Sequence, residues 1–154
     1  MYISAKADYG TRALLTLAAA GGGPLRGEVL AREQGLPLKF LENTLTSLRH
    51  AGLVDSQRGA DGGYRLARPA EEITVADIIR ALDGPLAEIR GEKPEEAVYV
   101  GAAVHLRDVW VAVRAALREV LETVTLAGIV SGDLPPAVLD LLSRPGAWER
   151  RTRS

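Results

Sequence analysis

Apolar and polar positions alternate along this chain with changing periods, and each period predicts an element. Ser4 is placed to cap a helix running to about Ala20, with Ala7, Leu14, Leu17 and Ala18 on one side. Gly21-Gly22-Gly23-Pro24 stops it. A short helix is predicted near Gly27–Gln34, with Val29, Leu30 and Ala31 apolar and Gly35 as the turn residue that tolerates a positive φ. Pro37 suits the first turn of the next helix, where its missing N–H is no loss. Leu41, Leu45, Leu48 and Gly52 then recur at helical spacing.

The period next shortens. Leu53–Gln57 and Tyr64–Ala67 read as two strands, Arg58–Gly63 as their glycine-rich tip, and Pro69 as the end of the ladder. Two short helices around a glycine turn, followed by such a hairpin, form a winged helix-turn-helix, a shape suited to duplex DNA. Thr74-Val75-Ala76-Asp77 has the pattern of a capping box, with Asp in the Glu position. Val75, Ile78, Ile79 and Leu82 give its helix a buried face, and Gly84-Pro85 ends it. Residues 86–101 are polar and acidic and read as a linker or surface loop.

A long helix is then predicted over about Ala102–Ala127. Leu106, Trp110, Val113, Leu117, Val120 and Val124 step by four and three, a heptad seam on a helix of about 40 Å. Such a helix needs a partner surface. Pro135-Pro136 opens a last short helix through Leu142, and Arg144–Ser154 is a polar tail expected to be mobile. The predicted organisation is a DNA-binding unit over 1–84, a loop over 85–101, a dimerisation helix over 102–130, and a short helix with tail over 131–154. The fold class is mainly α with a small β-hairpin wing.

Composition narrows the function. The 154 residues are 47% hydrophobic but only 5% aromatic, so the core is built from Ala, Leu and Val. Net charge is −1, yet residues 1–68 carry nine Lys/Arg against six Asp/Glu, and the rest of the chain ten against fourteen. The basic excess falls on the half with the DNA-binding pattern. There is no cysteine, which removes disulfides, thiolate metal sites and thiol redox chemistry. His50 and His105 have no second histidine or acid at metal-ligand spacing, so no metal site is expected. The first twenty residues carry Lys6, Asp8 and Arg12, unlike a signal peptide, and no run of 18 uncharged apolar residues offers a membrane span. A cytoplasmic protein is expected. No glycine loop has the phosphate-binding form, and no Ser or Thr has a base constellation, so an enzyme is not expected.

The candidate DNA contacts lie on two elements. Lys39, Glu42, Asn43 and Thr46 occupy the polar side of the second helix of the pair. Asn can pair with adenine, Glu can accept from cytosine, and Lys can reach guanine. Arg49 and His50 lie later, where phosphates are the nearer target. On the hairpin, Gly59 and Gly62 let backbone approach a groove wall, Arg58 can enter a narrow minor groove, and Arg65 and Arg68 can meet phosphates. Asp8 and Arg12 stand four apart and read as a helical ion pair.

Three segments together resemble the bacterial Rrf-type (IscR/NsrR/CymR-like) winged-helix regulators. They are Lys6–Leu14, the stretch from Leu41-Glu42-Asn43 through Leu48–Val54, and the wing Arg58–Ala67. Ile73–Ile78 and Val124–Ala127 extend the resemblance over nearly the whole chain except 86–101 and the tail. It implies a homodimer through the long helix, two recognition helices on a palindromic operator, and wings in the flanking minor groove. By position it puts Lys39, Glu42 and Asn43 on the base-reading surface and Arg58 at the wing tip. Pro37 departs from the family, which often carries a hydroxyl residue there. Cluster-binding members have three cysteines around the start of the long helix, and some add a histidine one turn before its tryptophan. Here Val104 stands at the last cysteine position and Arg107 one turn before Trp110. Asp8 matches an acidic ligand position of the family, but one carboxylate cannot hold a cluster. The implied protein is a dimeric regulator with no cofactor, binding double-stranded DNA. Its effector, a small molecule or a protein, would act near residues 86–107. The other reading is a protein-interaction module whose DNA binding is weak or set by a partner.

Overall fold

The computed structural model describes residues 1–150. Helix α1 spans Ala5–Ala19, α2 Gly27–Gln34 and α3 Leu38–His50. Strands β1 (Val54–Gln57) and β2 (Gly63–Leu66) follow, then α4 (Val75–Asp83), α5 (Leu106–Leu121), α6 (Leu126–Ser131) and α7 (Pro136–Ser143). The first helix starts where its cap dictates, since Ser4 Oγ accepts from the Ala7 N–H at 2.9 Å. The same hydroxyl donates to the Asp83 carboxylate, so one residue caps α1 and ties down the last residue of α4.

The α2–α3 turn is built on Gly35, at φ 63°, where a side chain would strain the backbone. Leu36, just after it, turns into the core and is 8% exposed. Pro37 is the residue before the first turn of α3, one position earlier than its sequence context suggested. Arg12 ion-pairs with Asp8 at 3.4 Å, as the spacing predicts. It also donates to the backbone carbonyl of Gln34 and to its side-chain oxygen, fastening α1 to the end of α2.

The antiparallel hairpin pairs Val54 with Leu66 and Gln57 with Gly63. The first strand starts one residue later than predicted and the second lies one residue earlier, and Leu53 instead enters the core, 3% exposed. Tyr64 also exchanges backbone bonds with Leu25, at 2.7 and 2.9 Å, so the wing is anchored on the segment entering α2. Thr74 and Asp77 form the reciprocal capping box of α4 at 3.1 and 3.0 Å. Leu14, Leu30, Leu41, Leu45, Leu48, Ile73, Ile78 and Leu126 are fully buried in one cluster.

The long helix is where structure and sequence part. It does not run from Ala102 to Ala127. A single 3-10 turn covers Gly101–Ala103, and α5 stops at Leu121 after 16 residues, about 24 Å. Thr123 Oγ1 bonds back to the Glu119 carbonyl at 2.7 Å. The chain then extends so that Val124 O accepts from Val75 N–H and Leu126 N–H donates to Ile73 O, both at 3.0 Å. A new cap, Thr125 Oγ1 to Gly128 N–H at 3.0 Å, starts α6. Heptad spacing carried over this break because Val124 keeps the phase of the seam although it lies off the helix. Val124 is thus corrected from interface to protomer core, at 7% exposed.

The acidic segment before α5 is not a free linker. Its 3-10 turn at Pro94–Glu96 packs on α5, with Pro94 and Ala97 buried. Arg114 of α5 binds Glu95 at 2.5 Å. Composition alone hid this, because one proline and one alanine carry the packing. The predicted last helix is present as α7. In the tail, the Trp148 indole N–H donates to Leu142 O at 3.0 Å. Residues 151–154, the end of the predicted polar tail, lie outside the described residues.

Candidate nucleic-acid interface

Helix α3 divides cleanly into two faces. Leu41, Thr44, Leu45 and Leu48 are buried against the core. Lys39, Asn43, Thr46, Arg49 and His50 are exposed, and Glu42 is half-buried. Thr44, the polar residue on the buried face, satisfies its hydroxyl on Phe40 O at 3.0 Å. Thr46 does the same with Glu42 O at 2.9 Å, which spends its hydroxyl hydrogen and leaves its oxygen as an acceptor only.

The hairpin presents Arg58, Gly59 and Arg65 to solvent, while Gly62 is buried at the base of the tip. Register sets Arg65 directly opposite Asp55, so part of its charge is offset across the strands. Among the described residues, Lys39, Arg58 and Arg65 form no ion pair, which leaves these cations available to an external anion. Arg68 is different: it reaches Asp77 at 3.5 Å and is drawn toward the start of α4. Arg49 donates to Ser56 Oγ at 3.2 Å, joining the end of α3 to β1. Only part of its guanidinium fork remains for a phosphate.

Two cations near these elements were not visible in the sequence pattern. Lys6, in the first turn of α1, donates to Ser47 Oγ on α3 at 3.2 Å. Arg26 donates to the Ala60 carbonyl at the wing tip at 2.7 Å. Neither contact has a local signature, because each joins residues 34 or more apart in sequence.

Helix α5 carries the other predicted surface. None of its residues is buried. Val109, Trp110 and Val113 are 52%, 37% and 44% exposed, and Leu106, Leu117 and Val120 are half-buried. Beside them Tyr2 stands 86% exposed. Trp110 is therefore on an open face, not in the protomer core. Behind α5 lies a cleft of about 460 Å³ lined by Arg80, Arg114 and Arg118 and by the 85–96 segment. Arg80 and Arg118 share Glu122. The Glu95 carboxyl is held below its usual range, first by a backbone hydrogen bond and then by Arg114.

The sequence lacks cysteine, and among the described residues no three His, Asp or Glu converge. No described helix is long and apolar enough to cross a membrane.

Comparison with known proteins agrees with this geometry. The family model Rrf2, described as an iron-dependent transcriptional regulator, matches residues 3–132. A curated HTH-type transcriptional regulator of Mycobacterium tuberculosis is 48% identical over 142 residues, covering 92% of this chain and 88% of the relative. The structure of CymR, the global cysteine regulator of Bacillus subtilis, superposes with a TM-score of 0.74 at 36% identity, over 86% of this chain and 98% of that one. The T. potens IscR structure gives 0.69 at 34% identity, over 91% and 96%. The family and these relatives are described as regulators, not as enzymes. With its helix pair, its hairpin and a match spanning most of its length, the chain belongs to the Rrf2 family of DNA-binding transcriptional regulators.

Proposed function

We propose that this protein is a cytoplasmic transcriptional repressor that acts as a homodimer on a palindromic operator, without an iron–sulfur cluster. The observation that carries the reading is the unpaired basic set Lys39, Arg58 and Arg65, displayed on α3 and on a wing joined to it through Arg49 and Ser56. In this reading Lys39, Glu42, Asn43 and Thr46 meet base edges, and Arg49, His50 and Arg65 meet phosphates. Arg58 enters the minor groove, with Gly59 and Gly62 keeping the tip slim. Unburied α5 supports self-association, since two copies could cover Leu106, Trp110, Val113, Leu117 and Val120 together. Dimer symmetry would set the two recognition helices about 34–36 Å apart.

The absence of cysteine supports regulation by something other than a cluster. The arginine-lined cleft beside residues 85–96 is where a small molecule or a protein effector would act. The test is selection of genomic fragments on the full-length protein at a stated moderate salt concentration, because phosphate contacts make affinity steeply salt-dependent. Enrichment of a palindromic site is expected, weakened about tenfold by Arg58→Ala and by Lys39→Ala. Retention of the same fragments with unchanged affinity by both variants would show that the surface was misread.

A further inference from the structure

We infer that Arg26 is a wing-positioning residue: its guanidinium grips the Ala60 carbonyl and so fixes the tip that carries Arg58. This rests on the DNA-binding reading for its consequence, but the grip itself belongs to the free protein. Arg26 precedes α2, and its backbone is already immobile. Its carbonyl accepts from Val29 and Leu30 at 3.1 and 3.2 Å. Next to it, Leu25 exchanges both backbone bonds with Tyr64.

The wing comes so close here that only glycine fits. A Cβ on Gly63 would lie 2.5 Å from Leu25 O and 3.0 Å from the Arg26 nitrogen. A Cβ on Gly62 would run into the Gln57 carbonyl. The base of the wing is thus fastened by backbone, while the tip residues Arg58 to Asp61 are exposed. From the rest of the protein the tip receives one side-chain hydrogen bond among the described residues, the 2.7 Å bond from Arg26 to Ala60 O. A cationic donor on a carbonyl is among the stronger hydrogen bonds. Ala60 is two residues from Arg58, so fixing its carbonyl restricts where the Arg58 side chain starts. Insertion into a narrow groove needs that starting point held to a fraction of an ångström.

The alternative role for Arg26 is a phosphate contact of its own, and two measurements on full-length protein separate the roles. The first uses no DNA. In Arg26→Met, ¹⁵N relaxation should show the amides of Gly59, Ala60 and Asp61 falling from rigid order parameters of about 0.85 toward about 0.6, with α3 amides unchanged. Arg26→Lys, which keeps a donor, should retain most of the order. Unchanged tip amides in Arg26→Met would overturn the inference, whatever DNA binding does. The second is a double-mutant cycle on the selected operator fragment. Arg26→Met should cost about threefold in the wild-type background and nothing once Arg58→Ala is present. An equal loss in both backgrounds, with a salt slope shallower by about 0.9, would mark a direct phosphate contact and refute the positioning role. If the wild-type protein enriches no fragment, the DNA reading falls, and the relaxation data alone decide whether the grip exists.

Discussion

Helices α3 and α5 are of similar length, thirteen and sixteen residues, yet α3 buries four side chains completely and α5 buries none. Both are amphipathic by sequence. Leu41, Leu45 and Leu48 find α1, α2 and α4 within the same protomer. Helix α5 meets the 94–96 turn and, more sparsely, α4 and α7, and leaves Val109, Trp110 and Val113 exposed. The difference teaches that the same apolar spacing can be buried inside the chain or left uncovered by it.

This contrast can be broken from either side. Leu45→Ala should cost about 2–5 kcal/mol of folding stability, because the side chain is fully buried and its loss leaves a cavity in the core; chemical denaturation measures it. Val113→Asp should leave monomer stability within about 0.5 kcal/mol, since the side chain is exposed in the protomer. On the homodimer reading it should nonetheless convert the protein to monomer in sedimentation and weaken operator binding by about 100-fold, some 2–3 kcal/mol. A Val113→Asp protein that still sediments as a dimer would remove α5 as the interface.

Smaller effects sharpen the comparison. Thr74→Ala removes one half of the α4 capping box and should cost about 1 kcal/mol in the same denaturation experiment. On the α5 side, pH reports the attachment of the acidic segment. Glu95 has its folded-state pKa below the ordinary 4.5. Its contribution is therefore complete above pH 4.5 and disappears as pH falls through the lowered value. The Arg114 Nε resonance should shift over that acid range and not between pH 5 and 8, and Glu95→Gln should abolish the shift.

Much of the reading head was legible in the chain. Gly35, the Thr74–Asp77 box and the leucines of α3 are local signals, and local physics sets the turn, the cap and the buried stripe. The wing was legible too, because glycines clustered between two short strand-like runs mark a hairpin turn. What escaped depends on partners distant in sequence. The end of α5 is decided by Ile73 and Val75, which offer backbone partners to Leu126 and Val124. The contacts of Lys6 and Arg26 have no local signature because Ser47 and Ala60 lie 41 and 34 residues away. The candidate DNA residues themselves were chosen from one helix face and one hairpin, and the packing of Leu41, Leu45 and Leu48 turns that face outward.

The extended stretch after α5 has a consequence for how the chain comes into being. Leu126 is a cork in the core that also holds Leu14 and Ile78. A nascent chain emerging from the ribosome with only its first 84 residues exposed has every part of the helix pair and the wing, but not the cork. Its hydrophobic centre stays open until about forty further residues have been made, at some 5–20 residues per second. The helix pair and the wing are thus translated before one of the residues that closes their core.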